Sequence, residues 1–330
     1  MLEREREVSA YSGFLNKRLQ LEQKREQEAC CDIIISAPLK LMLEVTKVCN
    51  HRCIFCANSK MTRPRGMIDM ALAERLLSEA AEIGVKELSL VATGEPFAFP
   101  KITDVIRIAK RLGYTYVYVT TNGGIASPEK LKSALDAGLD SIKFSFNAGT
   151  RETYRKIHGQ DDFDKVVQRI KYVVDYRRKT QKSFPIGISF VVCDINRSEK
   201  KIIENMFGEL VDDIVFHEMG AQGGHNNLLV EPIKNCARPF TIAGITYEGY
   251  LTLCCVDFQN YLAVADLNRL SLADAWNCET MQNIRKRFLT HDLKGTLCYR
   301  CLTGQIETVL PLIPSLATIN KELFTDKKTA

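Results

Sequence analysis

Short apolar runs alternate with amphipathic segments between residues 39 and 217, and this alternation predicts an α/β fold. The apolar runs predict six strands, at Leu39–Thr46, Lys86–Val91, Tyr114–Thr120, Ser141–Phe146, Ile186–Val192 and Asp213–His217. Apolar residues at helical spacing predict five helices between them, from Asp69 to before Gly84, over Ile102–Leu112, from Ser127 to before Gly138, over Asp162–Arg178 and over Ser198–Phe207. Strands that alternate with helices form a parallel sheet, so six units predict a doubly wound sheet or an incomplete barrel.

Outside this core the pattern changes to shorter segments. Residues 1–32 carry balanced charges and a weak helical stripe, which predict a solvated helix, with a docking arm as the alternative. Residues 244–253 predict a β-hairpin, and Leu272–Leu289 predict a helix, which a C-x₂-C loop at Cys298 and Cys301 would follow. The chain thus divides into a charged arm (1–36), an α/β core (37–220), a linker (221–234), a small C-terminal module (235–305) and a tail (306–330).

Composition narrows the choice of partners and compartment. The 330 residues are 45% hydrophobic and carry a net charge of only +5, which gives no case for a nucleic-acid or membrane partner. No apolar run is long enough to span a bilayer, and the N-terminus lacks the apolar region of a secretory signal, so we expect a cytoplasmic location. Disulfides are rare in the cytoplasm, so metal binding is the default explanation for the 12 cysteines.

Three cysteines stand at C-x₃-C-x₂-C spacing directly after the first predicted strand: Cys49, Cys53 and Cys56. Thiolates are the preferred ligands of iron–sulfur clusters, and three of them on one loop can hold three irons of a cubane, which leaves one iron open. The alternative is three unconnected thiols in a cysteine-rich chain. Polar or glycine-bearing groups also follow the next strands and gather at the same end of the sheet.

These residues resemble the radical S-adenosylmethionine (radical SAM) superfamily. Its cysteine motif carries an aromatic residue at the position of Phe55, and Gly94-Glu95-Pro96 stands at the place of its Gly-Gly-Glu-Pro motif, with Thr93 replacing the first glycine. The resemblance implies a partial (β/α)₆ TIM-like barrel and a [4Fe–4S] cluster whose open iron binds S-adenosyl-L-methionine (SAM). It further implies reductive cleavage of SAM to a 5′-deoxyadenosyl radical, which takes a hydrogen atom from substrate, and a flavodoxin or ferredoxin as electron donor.

The resemblance also implies the residues that contact SAM. The backbone of Gly94, Glu95 and Pro96 would bind the methionine amino group, and Phe55 would lie by the adenine. The remaining contacts would be Asn122, Ser145 and Asn147 on the ribose and carboxylate side and Val192 on the adenine. Relatives often have arginine at the position of His158, so either His158 or Arg155 would meet the SAM carboxylate.

A second cysteine set lies in the C-terminal module: Cys236, Cys254, Cys298 and Cys301. Four thiolates from three segments can ligate a cluster completely, although the spacing alone fits structural zinc equally well. The set resembles the twitch form of the SPASM module, which implies one auxiliary [4Fe–4S] cluster and a spacing close to that of an aminocyclitol dehydrogenase. Cys255 is expected to be a non-ligand, while Cys193 is expected to be a core thiol or a hydrogen-atom donor.

A fully ligated auxiliary cluster is suited to accepting an electron. The leading hypothesis is therefore a radical SAM oxidoreductase that dehydrogenates a hydroxylated small molecule such as a sugar or aminocyclitol. Candidate bases are His217, Glu218, His225 and Asp257. The alternatives are a peptide maturase that forms a crosslink or an epimer, and a non-catalytic iron–sulfur or zinc sensor or scaffold.

Overall fold

The six apolar runs form six parallel strands in the computed structural model, which describes residues 24, 32–220, 236–305 and 307–319. The strands are β1 (Lys40–Leu43), β2 (Glu87–Leu90), β3 (Tyr116–Thr121), β4 (Ser141–Ser145), β5 (Ile186–Val192) and β6 (Asp213–Glu218). Each pairs in parallel with the next one in the chain. The sheet confirms the predicted α/β class and its partial-barrel architecture.

Helices connect these strands near the predicted positions. They are α1 (Met70–Glu82), α2 (Ile102–Arg111), α3 (Pro128–Asp136), α4 (Arg151–His158), α5 (Phe163–Thr180) and α6 (Lys200–Phe207). Side-chain caps fix their starts where the sequence indicated: Asp69 accepts the amides of Ala71 and Leu72, and Ser127 caps the helix that has proline at its first position. Helix α4 was not predicted, because its eight residues give too short an apolar pattern.

Strand register assigns a face to each side chain of the sheet. Ile142 and Phe144 are at most 1% exposed and belong to the helix-covered core. Lys143 lies between them and therefore projects to the opposite face, which we call the inner face. Tyr118 and Ser189 share this face through the register of neighbouring strands. The inner face thus carries polar side chains on β3, β4 and β5, in contrast to the apolar face that packs against the helices.

The C-terminal hairpin extends the same sheet. Its strands are β7 (Ile242–Ile245), β8 (Tyr250–Thr252) and β9 (Ala263–Asp266). Strand β7 lies parallel to β1, with Lys40 opposite Ile242, and β8 and β9 follow antiparallel. The described strands therefore have the order β6-β5-β4-β3-β2-β1-β7-β8-β9. The hairpin prediction is confirmed, whereas β9 and the attachment to β1 were not foreseen.

Four helices complete the described part of the C-terminal module: α7 (Arg238–Thr241), α8 (Leu272–Trp276), α9 (Glu279–Leu289) and α10 (Leu297–Thr303). The prediction of one helix over 272–289 is wrong, because the chain breaks at Asn277, whose side-chain oxygen accepts the amide of Ile35. The prediction of a loop around Cys298 and Cys301 is also wrong. Thr296 caps a helix there, and Gly304 ends it in the left-handed conformation.

Buried charges connect the cysteine loop to the hairpin. Arg63, which follows the loop, is 2% exposed and forms ion pairs with Glu44 at the end of β1 and Glu248 in the hairpin turn. Asn260 accepts a further hydrogen bond from the same guanidinium at 2.8 Å. Because each charge is paired, the network holds the two parts of the chain in one arrangement. The arm and the linker lie almost entirely outside the described residues, and no described helix is long and apolar enough to cross a membrane.

Candidate active site

The three cysteines of the first loop lie at the C-terminal end of β1, and each sulfur has an N–H donor nearby. The Asn122 side-chain amide lies 3.6 Å from Cys49 Sγ. The His158 Nδ1 lies 3.5 Å from Cys53 Sγ, and the backbone amide of Asn58 lies 3.5 Å from Cys56 Sγ. N–H donors stabilise thiolates, so this donor set fits an iron–sulfur cluster better than three structural thiols.

The N–H donors stabilise the thiolate form of these cysteines, whereas burial disfavours it. It raises the pKa of Cys49 to about 12, and burial together with the two neighbouring thiols raises the pKa of Cys53 well above its ordinary value. Without a cation the three groups are therefore neutral thiols. A metal centre that displaces their protons would match both the crowding and the N–H donors.

Gly94 and Glu95 fasten the second strand end to the cysteine loop. A Cβ on Gly94 would collide with the backbone of Thr46 and Lys47, so only glycine permits this close approach. The Glu95 amide donates to the Val48 carbonyl at 2.9 Å.

The Glu95 carboxylate accepts the Thr121 hydroxyl at 2.6 Å and the amides of Asn122 and Phe97 at 2.7 and 3.1 Å. Burial raises the pKa of this carboxyl. Glu95 therefore ties the ends of β2 and β3 together beneath the site.

Asn147 connects the ends of β4 and β5 by hydrogen bonds, as Glu95 does for β2 and β3. Its side-chain oxygen accepts the Val191 amide at 2.6 Å, and its side-chain nitrogen donates to Ser145 Oγ at 3.2 Å. The residue is 0% exposed. Asn122, Ser145 and Asn147 thus gather at one end of the sheet, as predicted.

The predicted SAM contact on the fifth strand, Val192, lies in the helix-covered core, whereas Val191 packs with Phe55 and the cysteine loop. Neighbouring strand residues point to opposite faces, so this geometry favours Val191 for that contact. Cys193 is 5% exposed and packs against Phe55 and Ile157.

His158 and Arg155, the two candidates for contact with the SAM carboxylate, occupy different positions on α4. Arg155 is exposed on the outer face of α4, in a charged surface groove, and does not approach the cysteine loop. His158 is 0% exposed, and its Nε2 accepts the Asn147 amide at 3.2 Å while its Nδ1 faces Cys53. The geometry therefore gives His158 a place behind the loop and does not favour a contact with the SAM carboxylate.

The candidate bases also occupy different settings. His217 projects from the inner face of β6, because the adjacent Phe216 lies on the helix side beneath Lys200. Desolvation and the charge of Lys143 lower the pKa of His217. Lys143 was missed by the sequence reasoning, although its position between two apolar residues of a strand was a usable signal.

Of the other three candidates, Glu218 and Asp257 are bound to other groups of the chain. Glu218 is exposed and forms a bidentate ion pair with Arg197, with both N–O distances at 2.9 Å. Asp257 is buried, and its carboxylate accepts the Thr252 hydroxyl and the amides of Tyr261 and Leu262. These hydrogen bonds indicate that Asp257 stabilises the loop between β8 and β9, and they do not favour it as a base. His225 lies outside the described residues.

The second cysteine set lines a cavity of about 160 Å³. Its walls are apolar apart from the four thiols and Arg238, with Leu253, Leu262, Phe288 and Leu297 among them. Cys298 and Cys301 reach it from the same face of α10, three residues apart. Burial and the nearby Cys236 raise the pKa of both thiols. Four convergent thiols around an apolar cavity fit a completely ligated cluster.

The cavity has Cys254 on its wall, and the adjacent Cys255 is not among its lining residues. A hydrogen bond from Cys254 lowers the pKa of Cys255, and the charges of Arg238 and Lys40 lower it further. The choice of Cys254 as the ligand remains a prediction.

The two cysteine sets lie at opposite ends of the sheet. Cys49 follows the C-terminal end of β1, whereas the register of β8 continues to bring Cys254 level with Lys40 at the N-terminal end of β1. A four-residue strand rises about 13 Å. The polar inner face lies between these ends.

Comparison with known proteins gives matches to both halves of this arrangement. Residues 43–201 match the family model of the radical SAM superfamily, and residues 236–302 match the SPASM iron–sulfur cluster-binding domain. A probable GTP 3′,8-cyclase from Saccharolobus islandicus is 33% identical over 159 residues, which are 48% of this chain and 49% of the relative. One from Methanothermobacter thermautotrophicus is 34% identical over 138 residues, 42% and 44% of the two chains. The chain thus spans about half the length of these curated relatives.

Solved structures with the same fold cover more of the chain. BtrN in complex with AdoMet and 2-DOIA aligns with a TM-score of 0.58 at 16% identity, over 82% of this chain and 94% of BtrN. Streptococcus suis SuiB bound to its precursor peptide SuiA aligns with a TM-score of 0.64 at 16% identity, over 82% and 71% of the chains. Identities at this level show a shared fold alone.

Proposed function

Because the chain belongs to the radical SAM superfamily and carries a SPASM iron–sulfur domain, we propose that it is a radical SAM oxidoreductase that dehydrogenates a hydroxylated small molecule. The family and the cofactors predicted from the sequence, SAM and iron–sulfur clusters, are confirmed. The reaction itself rests on one observation: the inner face, which carries polar side chains, lies between the three-cysteine site and a four-cysteine site with apolar walls.

When bound, the cofactors would supply a 5′-deoxyadenosyl radical at the three-cysteine end and a one-electron acceptor at the four-cysteine end. The chain's own residues then have two tasks. Cys49, Cys53 and Cys56 would hold the first cluster, and the inner face would hold a polyhydroxylated substrate by hydrogen bonds from groups such as Tyr118 and Ser189.

His217 is the base that this geometry favours. Loss of hydrogen from a carbinol carbon makes the adjacent hydroxyl more acidic, and an imidazole on the inner face could take that proton. Desolvation and the charge of Lys143 lower the pKa of His217, which favours the neutral form that accepts a proton.

A peptide maturase is the second candidate, because SuiB shares the fold and binds a precursor peptide. The curated cyclases add a third chemical possibility, a nucleotide substrate, although the matched segments span about half of each relative. The four thiols around one apolar cavity match the single auxiliary cluster predicted from the sequence, which favours small-molecule dehydrogenation over maturases with fuller cysteine sets.

The test is an anaerobic assay of the reconstituted, reduced full chain against aminocyclitols, sugars, GTP and peptides. We expect one ketone or aldehyde for each 5′-deoxyadenosine, and about eight irons per chain. Deoxyadenosine with a crosslinked or epimerised peptide would support the maturase, and a cyclised nucleotide would support the cyclase class. Absence of SAM cleavage with both clusters present would leave the sensor or scaffold as the better description.

A further inference from the structure

We propose that His158 is a positioning residue for the three-cysteine cluster: its Nδ1–H donates to the sulfur of Cys53 and raises the reduction potential of the cluster bound there. The inference rests on the proposed function only in assuming that the three cysteines hold a cluster. It assigns to His158 a task different from the SAM contact that the family resemblance implied.

The hydrogen-bond pattern fixes the tautomer of His158. Its Nε2 lies 3.2 Å from the backbone amide of Asn147, and a backbone amide can only donate. Nε2 is therefore the acceptor, and the proton of the neutral ring lies on Nδ1.

Nδ1–H then has two acceptors within reach. Cys53 Sγ lies at 3.5 Å and His51 Nδ1 at 3.3 Å. His51 faces Asp162 with its Nε2, at 3.3 Å from the carboxylate, so its Nδ1 is the unprotonated nitrogen. Once Cys53 is a thiolate, its negative charge makes it the stronger acceptor for the proton.

Packing holds the ring in this orientation. The Tyr154 ring stacks on His158 with centroids 4.1 Å apart, and the His51 ring meets it edge-on at 5.2 Å. The backbone amides of Arg52 and Ile54 donate to the carbonyls of His158 and Ile157, which fixes the end of α4 to the cysteine loop. The donor is thus rigid, buried and directed at one ligand sulfur.

A hydrogen bond to a ligand sulfur withdraws electron density from the cluster and favours its reduced form. Removing the donor should make reduction harder without removing any ligand. The same three groups, His51, Cys53 and His158, could also be considered as a separate metal site, since their donor atoms lie within 4.8 Å of one another. Cys53 cannot serve both centres, and the tautomer derived above directs His158 Nδ1 as a proton donor.

The experiment is an EPR-monitored redox titration of the reconstituted full chain, in which the three-cysteine cluster is the one whose signal changes on adding SAM. We expect H158L to shift its midpoint potential to more negative values at unchanged iron content, and H158Q, which keeps an N–H donor, to lie closer to the wild type. Y154F is the matched control, because it removes a buried hydroxyl without a partner from the same pocket. Its potential should equal that of the wild type.

A wild-type potential in H158L would overturn the proposal, as would an equal shift in Y154F. If H158L does not retain iron, pulsed EPR of wild-type protein labelled with ¹⁵N-histidine decides the question. A histidine nitrogen coupled to the SAM-responsive cluster supports the hydrogen bond, and its absence overturns it. Neither measurement requires turnover, so failure of the proposed reaction would be seen separately in the product assay.

Discussion

The two cysteine sites of this chain differ in what surrounds the sulfurs. At the first site each sulfur has an N–H group within 3.6 Å, and two buried histidines, His51 in the loop and His158 on α4, lie beside Cys53. At the second site the four thiols face a cavity whose other walls are mostly aliphatic and aromatic. Hydrogen bonds to sulfur and exclusion of solvent are separate controls on a cluster's potential. The two sites thus differ in the surroundings of their sulfurs: hydrogen-bond donors at the three-cysteine site and apolar walls at the four-cysteine site.

The strongest test of the first site is Cys53→Ala. It removes the central ligand, so we expect SAM cleavage to fall to background and iron to drop from about eight to about four per chain. Iron analysis and deoxyadenosine assays measure the two effects. Cys193→Ala is the control, because that thiol is buried beside the loop and should not be a ligand. Loss of iron in Cys193→Ala would contradict the three-ligand assignment.

At the second site, Cys254→Ala should separate cleavage from oxidation. We expect about four irons to be lost and deoxyadenosine to form without the ketone, because the electron acceptor is gone while the first site is intact. Cys255→Ala should retain about eight irons and the product. If the two variants behave in the opposite way, Cys255 is the ligand.

The ion-pair network that joins the two regions has a smaller but measurable effect. Arg63→Ala leaves Glu44 and Glu248 buried without their cation, so we expect a loss of about 3–5 kcal/mol in the free energy of unfolding. Denaturant titration of the variant provides the value. Arg107→Ala removes an exposed pair with Asp104 and should cost less than about 0.5 kcal/mol. Equal losses would show that the buried network does not hold the regions together.

The smallest expected effect concerns the inner face of the sheet, between the two cysteine sites. Lys143→Met removes a positive charge that lowers the pKa of His217, so this pKa should rise. The basic form then appears at higher pH, and the acid limb of the kcat profile should move to higher pH. Asp213 also lies on the inner face, since Lys143 and Asp213 are both register partners of Gly187. Its carboxylate is unchanged in the Lys143 variant. An unchanged limb would argue against His217 as the base; Glu218→Gln, on the solvent side, serves as the control.

Much of this architecture was predictable because its signals are local. The six strand–helix units follow from apolar periodicity, and caps such as Asp69 and Ser127 act within three residues of the helices that they start. The cysteine sets follow from spacing. Predictions were wrong where a side chain's use depended on distant residues: Asn277 breaks a helix because its side chain bonds Ile35, 242 positions away.

The sequence by itself determined the α/β class, the cysteine loop and the presence of a second thiol set, since these depend on period and spacing. Only the tertiary structure decided which sides of the strands face inward, that β7 joins β1, and that His158 meets Cys53 across 105 positions. The physical reason is that strand register and buried hydrogen bonds are satisfied between segments far apart in the chain. A shift of one residue, as between Val191 and Val192, leaves the local pattern unchanged and reverses the face.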